Sequence, residues 1–290
     1  MNVEETIPTS HIIEGRKTFF IAPDDSLLPE KYLEDFMARG YETYIINDDR
    51  YCPLRVKVDI IIQTFQDSIL FFYIDSVIEG IDWPTYILEL QSKFDKNILI
   101  GVLYSKRPTA EEKKRLERYY LFDVGIQCGC IGLEFQRTKN FGLIDKVMFA
   151  NQACGRRQNV RAICDSSSKV VFEISNMQYT GRVLDVSLSH FSCAFEYSID
   201  VPVGGRVQNI LISINGLHFI TDALVVMNRA YTNSTMYVFV FLSPDGKKGL
   251  ESDIRAKVLQ KTYQMISDKV KNLLWAKFDV ARKALRGRVV

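Results

Sequence analysis

A single change of period, at Gly155, constrains this chain more than any other feature. Before it, short apolar runs alternate with stretches whose apolar residues recur every three or four positions. After it, runs of strand length follow one another with only turn residues between them. The first pattern builds strand–helix units and the second antiparallel strands, and one small sheet cannot satisfy both. With 290 residues, two separate cores are possible.

In the first half, strands are expected at residues 18–22, 41–46, 69–74, 98–104 and 124–131. Helices are expected at 29–39, 54–65, 83–94, 110–121 and 134–150, the first opened near Pro29 and closed by Gly40. Five such repeats imply a doubly wound parallel sheet covered by helices on both faces. This α/β domain is expected over residues 16–150, behind a flexible N-terminus of residues 1–15.

In the second half, strands are expected at 161–164, 169–174, 180–185, 191–196, 206–214, 217–226 and 236–242. Asp165-Ser-Ser-Ser, Ser175-Asn176, Asn215-Gly216 and Thr232-Asn-Ser supply the turns, and Asn-Gly between two alternating runs is a strong hairpin signal. The expectation is a small antiparallel β-barrel over residues 151–249. A long C-terminal helix and basic tail follow over 250–290. Its apolar positions are Ile254, Val258, Tyr263, Ile266, Val270, Leu273, Leu274 and Phe278. Part of that stripe packs on the barrel, and the remainder either packs as well or binds a partner.

Composition removes several classes. A net charge of +2 gives no global field for nucleic acid. Apolar stretches such as 98–104 are too short to span a bilayer. The start, MNVEETIPTSHIIEG, lacks the basic and apolar regions of a secretory signal, so a cytoplasmic location is expected. The 6 cysteines show no zinc spacing, and no metal is expected. Cys128-Gly-Cys130 reads either as a redox or metal fragment or as small residues on a buried strand. There is no P-loop, nucleophile elbow or GxGxxG, so no enzyme is expected.

Two short motifs carry the chemistry. Arg157-Gln-Asn-Val-Arg161 precedes a strand-like run, and Asp185-Val-Ser187-Leu-Ser-His190 follows roughly 24 residues later. A guanidinium donates a planar fork to phosphate oxygens or to guanine O6 and N7, and it stacks on bases. An aspartate accepts hydrogen bonds. The residues by themselves also allow a plainer reading, in which Arg156, Arg157 and Arg161 form a basic linker while Asp185 and Ser187 shape a hairpin.

The pair of motifs resembles the RxxxR and [D/N]xSxxG of the PilZ family, whose last position is glycine where this chain has His190. The resemblance implies cyclic di-GMP as the ligand, held by Arg156, Arg157, Arg161, Asp185, Ser187 and His190. The arginines would wrap the ligand from a mobile lead-in, residues 151–160. Asp185 would accept from a guanine N1–H and exocyclic amine, and Ser187 would serve a phosphate or the turn's own backbone. If position 190 needs a positive φ, histidine is strained there, and its ring also fills space near the ligand. The family further implies a bacterial signalling effector without turnover. It would relay ligand binding by interdomain rearrangement to a protein partner, with outputs in motility, adhesion, polysaccharide secretion or virulence. The alternative is a degenerate interaction module that does not bind the dinucleotide.

Residues 16–145 are similar in architecture to a response-regulator receiver, which implies an acidic pair at Asp24-Asp25, a phosphoacceptor at Asp75 and a hydroxyl at Ser105. A lysine should follow the fifth strand, where Gln127–Gly132 stands on the expected boundaries. That departure implies a pseudo-receiver.

Overall fold

The computed structural model describes residues 14–94, 98–231 and 233–286. The described residues fall into two compact units, residues 14–158 with 271–286, and residues 159–270.

The first unit alternates strand and helix: β1 (Thr18–Ile21), α1 (Lys31–Ala38), β2 (Thr43–Ile46), α2 (Leu54–Thr64), β3 (Ser68–Tyr73), α3 (Trp83–Phe94), β4 (Ile98–Ser105), α4 (Ala110–Arg118), β5 (Cys130–Leu133) and α5 (Arg137–Ala150). All pairings are parallel and the strand order is β2-β1-β3-β4-β5. That is a doubly wound order, with its switch point between β1 and β3. Every residue of β3, Ser-Ile-Leu-Phe-Phe-Tyr, is buried, as expected of a strand with helices over both faces. Phe36 of α1 stacks on Phe141 of α5 at 4.5 Å, and Phe20 stacks on Phe71 at 5.7 Å. Thr109 and Glu112 form a capping box that starts α4.

The fifth strand lies later than its sequence pattern suggests. Val124, Ile126 and Cys128 are buried at alternate positions, which mimics a strand. The chain there follows a π-helical turn, Tyr119–Asp123, and then passes through positive φ at Gly125 and Gly129. Gln127 and Cys128 both donate to the Ile100 carbonyl, and a parallel ladder begins only at Cys130. The residue after β5 is therefore Glu134, and Gln127–Gly132 lies before the end of that strand.

The second unit contains β6 (Ala162–Ile163), β7 (Lys169–Ile174), β8 (Met177–Val186), β9 (His190–Phe195), β10 (Arg206–Ile214), β11 (Leu217–Tyr231) and β12 (Ser234–Leu242). Six of them close a barrel in the order β8-β7-β10-β11-β12-β9, with β9 returning to β8 and β6 added beside β8. Ser175-Asn176 and Asn215-Gly216 take positive φ at both central positions, the two-residue turn geometry that matches strand twist. Phe191 lies flat on Phe239 at 4.9 Å inside the barrel. Gly181 leaves room for Phe195, whose ring would stand 2.6 Å from a Cβ there.

α6 (Ser252–Arg286) begins in the second unit, and from Lys271 onward it counts with the first. Within the first unit, Tyr51 donates to Asp279 at 2.8 Å and meets Trp275 edge-on at 4.8 Å. Val258, Ile266, Val270, Leu274 and Phe278 are buried as the stripe predicts, but Leu273 is 43% exposed. The buried positions recur every four residues, which places Leu273 beside the stripe and not on it.

Among the described residues, no helix is long and apolar enough to cross a membrane, and no group of three or more His, Cys, Asp or Glu could hold a metal ion.

Candidate functional site

Asp185 sits near the end of β8, where the two-residue β6 pairs Ile163 with Asp185 and Ala162 with Val186. Arg161 precedes β6, so the register brings it alongside the end of β8. Its Nη1 stands 3.7 Å from Asp185 Oδ1, too far for a hydrogen bond, and both side chains are about one-third exposed. The other carboxylate oxygen accepts from Ser192 of β9 at 2.5 Å. Ser192 is a partner that the motifs do not announce. Its only sequence signal is a serine inside the apolar run Phe191–Phe195.

Ser187 is buried and its hydroxyl is spent locally. It donates to the His190 carbonyl at 3.1 Å and accepts from the His190 N–H at 3.1 Å and the Ser189 N–H at 3.4 Å. The Ser187 N–H closes the turn onto the His190 carbonyl at 2.8 Å. Of the two roles open to Ser187, the hydroxyl serves the turn's own backbone.

His190 starts β9, paired with Val240, and it does not take a positive φ. The strain expected of histidine at a glycine position is therefore absent, because the β8–β9 turn closes with ordinary backbone angles at 190. The imidazole meets Ser189 Oγ at 2.8 Å, and Asn159 Nδ2 donates to that same hydroxyl at 3.0 Å. Burial, then the charges of Arg161 and Lys248, push the His190 pKa below its ordinary value. Lys248, on the stretch after β12, is a second residue that the motifs do not reveal. Burial and the nearby Asp185 and Asp165 carboxylates push the Cys164 thiol up to about 12, so it stays protonated.

The two arginines of Arg157-Gln-Asn-Val-Arg161 fall in different units. Residues 151–158 of the expected lead-in pack within the first unit, and 159–160 belong to the second. Ala153 is buried, and the Cys154 thiol lies 3.8 Å from the Arg39 carbonyl and 3.7 Å from that of Arg157. Gly15 and Gly40 admit this segment: a Cβ on the first would meet the Ala153 carbonyl at 2.1 Å, and one on the second the Gln158 carbonyl at 2.9 Å. Arg157 pairs with Glu14 at 3.1 Å. Arg156 is exposed, with no ion pair among the described residues. The flexible N-terminus expected over 1–15 lies mostly outside the described residues, but Glu14 and Gly15 belong to this packing.

The first unit holds its own acidic group tightly. Arg107 donates to Asp75 at 2.5 Å and 3.1 Å, and the Ser105 N–H donates to it at 2.7 Å. Hydrogen bonding to Asp75 raises the pKa of Arg107 against the cost of burial. Ser105 Oγ is 2.6 Å from the Tyr73 hydroxyl.

The chemistry available in the barrel unit is recognition. A loosely held guanidinium stands beside a half-buried carboxylate that keeps lone pairs free. Together they offer donors for an anion or guanine edge and an acceptor for guanine N–H groups.

No family model matches the chain, and no curated protein matches it. Solved structures similar to part of it include the PilZ domain of YcgR from Escherichia coli with c-di-GMP, at 14% identity and TM-score 0.35. That match covers 41% of this chain and 97% of the other. The K. pneumonia MrkH–c-di-GMP complex matches at 12% identity and TM-score 0.32, over 42% of this chain and 53% of that one. The Borreliella burgdorferi PlzA protein in complex with c-di-GMP matches at 12% identity and TM-score 0.25, over 44% and 48%. The chain thus spans about half the length of the latter two. Likenesses this slight leave the reading of the site to its own residues.

Proposed function

We propose that this chain is a bacterial signalling effector whose barrel binds cyclic di-GMP through Arg157, Arg161 and Asp185. The observation that carries this reading is Arg161 beside Asp185 at 3.7 Å, close enough to pre-place both groups and too far to lock them together. Arg161 takes a phosphate or a guanine edge, and Asp185 takes guanine N–H groups. Arg157 contributes once it leaves Glu14, an exposed pair that is cheap to break. Ser187 shapes the turn, and His190 borders the ligand. The functional division places a receiver-like domain at 16–150, a PilZ-like domain at 151–249 and the helix at 250–290.

Signalling follows from the position of the motif. The motif straddles the boundary between the units in the chain, and ligand binding to it is relayed by interdomain rearrangement to a protein partner. The effector turns over no substrate, acts in the cytoplasm and serves outputs such as motility or virulence. The first unit acts as a pseudo-receiver: Asp75 is already neutralised by Arg107, and Glu134, an acid, follows β5. Acetyl phosphate is expected to leave Asp75 unmodified by mass spectrometry, and phosphate there that disappears in Asp75→Asn would overturn this assignment.

A second reading has its own observation. The Ser187 hydroxyl is consumed in the turn and a histidine borders the site, which favours an interaction module without the dinucleotide. Calorimetric titration of the full chain with cyclic di-GMP decides between the two. Binding that weakens in Arg157→Ala and Arg161→Ala, and less in Arg156→Ala, supports the sensor. No heat at high micromolar ligand leaves the module.

A further inference from the structure

The barrel wall is incomplete between β7 and β10. Only Leu211↔Val171, Ile212↔Val170 and Ser213↔Lys169 join these strands. Residues 172–174 of β7 are fully paired to β8 on their other side, so one edge of β7 stands open. Residues 206–210 of β10 lack a β7 partner as well. A bulge between Val207 and Ile210 in the β10–β11 register bends that strand away. Asp222 fixes the bend: it accepts from the Asn209 N–H at 2.9 Å, with Asn209 at φ +53°, and from Arg206 at 2.6 Å.

The two open edges face a recess of about 850 Å³. Phe172 and Val207, both buried, line it together with Glu173, Gln178, Gln208 and the part-exposed Leu211. From this geometry we infer that the recess takes an extended peptide segment of a partner protein, added as a β-strand between β7 and β10. Apart from the Asn209 N–H, which Asp222 takes, the main-chain groups turned toward the recess have no ladder partner, and an extended polypeptide carries main-chain groups on both of its own edges to meet them. Alternate residues of such a strand point to opposite faces. One set meets Phe172 and Val207 and is apolar. The other lies among Gln178, Gln208 and Glu173. Arg206 is neutralised by Asp222, while Glu173 has no ion pair among the described residues, so the outward set favours lysine or arginine. This site shares no residue with the dinucleotide site and does not depend on it.

The test is selection of random seven-residue peptides displayed on phage against the full-length protein. Expected are peptides that alternate apolar residues with polar or basic ones. Synthetic copies should lose tenfold or more in affinity when alternate backbone nitrogens are methylated. Bound peptide should slow amide exchange in residues 172–174 and 206–210. Gln208 lies in the bulge outside the β11 register, where proline is tolerated, so Gln208→Pro should abolish binding while Gln208→Ala retains it. Glu173→Lys should shift the selected outward residues from basic to acidic, which needs no loss of fold to be read. Peptides without alternation, indifference to methylation or protection elsewhere would overturn the proposal. So would self-association lost in Gln208→Pro, which would give the recess to a second copy of the chain.

Discussion

In the parallel-sheet unit Arg107 grips Asp75 at 2.5 and 3.1 Å, whereas in the barrel unit Arg161 stands 3.7 Å from Asp185. The residue types are the same and the pairs are comparably half-buried. The difference is what else holds the carboxylate. Asp75 receives two guanidinium nitrogens and a backbone N–H, so its charge is answered and its geometry set. Among the described residues Asp185 has the Ser192 hydroxyl on one oxygen, and the other faces a guanidinium beyond bonding range. A closed pair holds two loops together, and an open pair keeps directional groups ready for something else. That difference is the physical ground on which the proposal above gives the ligand to the barrel and not to the sheet.

The largest effect that tests the contrast is on affinity. Arg161→Ala or Asp185→Ala should each remove a charge-assisted contact to cyclic di-GMP, about 1.5–3 kcal/mol. Calorimetry would read that as roughly a tenfold to a hundredfold loss. Arg107→Ala should leave affinity unchanged, and equal losses in all three would erase the distinction. A smaller, severalfold effect is expected at His190. With no positive φ to relieve, His190→Gly acts through space alone, and removing the ring should tighten binding. Weaker binding in that variant would mean the imidazole contacts the ligand.

Next comes stability. Arg107→Ala leaves Asp75 its Ser105 N–H and partial access to water, so the cost should be about 1 kcal/mol in urea unfolding. No change would show the closed pair to be ornamental. The smallest effect concerns pH. Burial lowers the His190 pKa in the folded protein, so the unfolded chain takes up the proton first. This group's contribution is complete above its ordinary value of 6.5 and declines as the pH falls below that value. The loss between pH 7 and 5.5 should be smaller in His190→Asn than in the wild type, by thermal melts.

Much of the first unit was legible because its cues are local. The apolar run of β3 and the Gly40 stop act within a few residues of their own positions. β5 was misplaced because burial at every second residue mimics a strand when the ladder is absent. In the site, the motifs showed Arg161 and Asp185 but not Ser192 or Lys248, which reach it from β9 and from the stretch after β12. Leu273 and Leu274 are the same residue type in adjacent positions, and only the packing of α6 exposes one and buries the other.

The sequence by itself determined the two periods, the turns at Ser175-Asn176 and Asn215-Gly216, and the pairing of an arginine motif with an Asp-x-Ser turn. Those depend on backbone preferences and side-chain chemistry that each residue carries anywhere. The tertiary structure decided how those groups are used. It placed Arg157 with the first unit through Gly15, Gly40 and Glu14, spent the Ser187 hydroxyl on its turn, and gave His190 an unstrained place at the start of β9. It also ended the β7–β10 ladder after three pairs, beside a bulge in β10 that Asp222 holds. Each of these outcomes depends on neighbours distant in the chain, and such neighbours are fixed only when the whole fold closes.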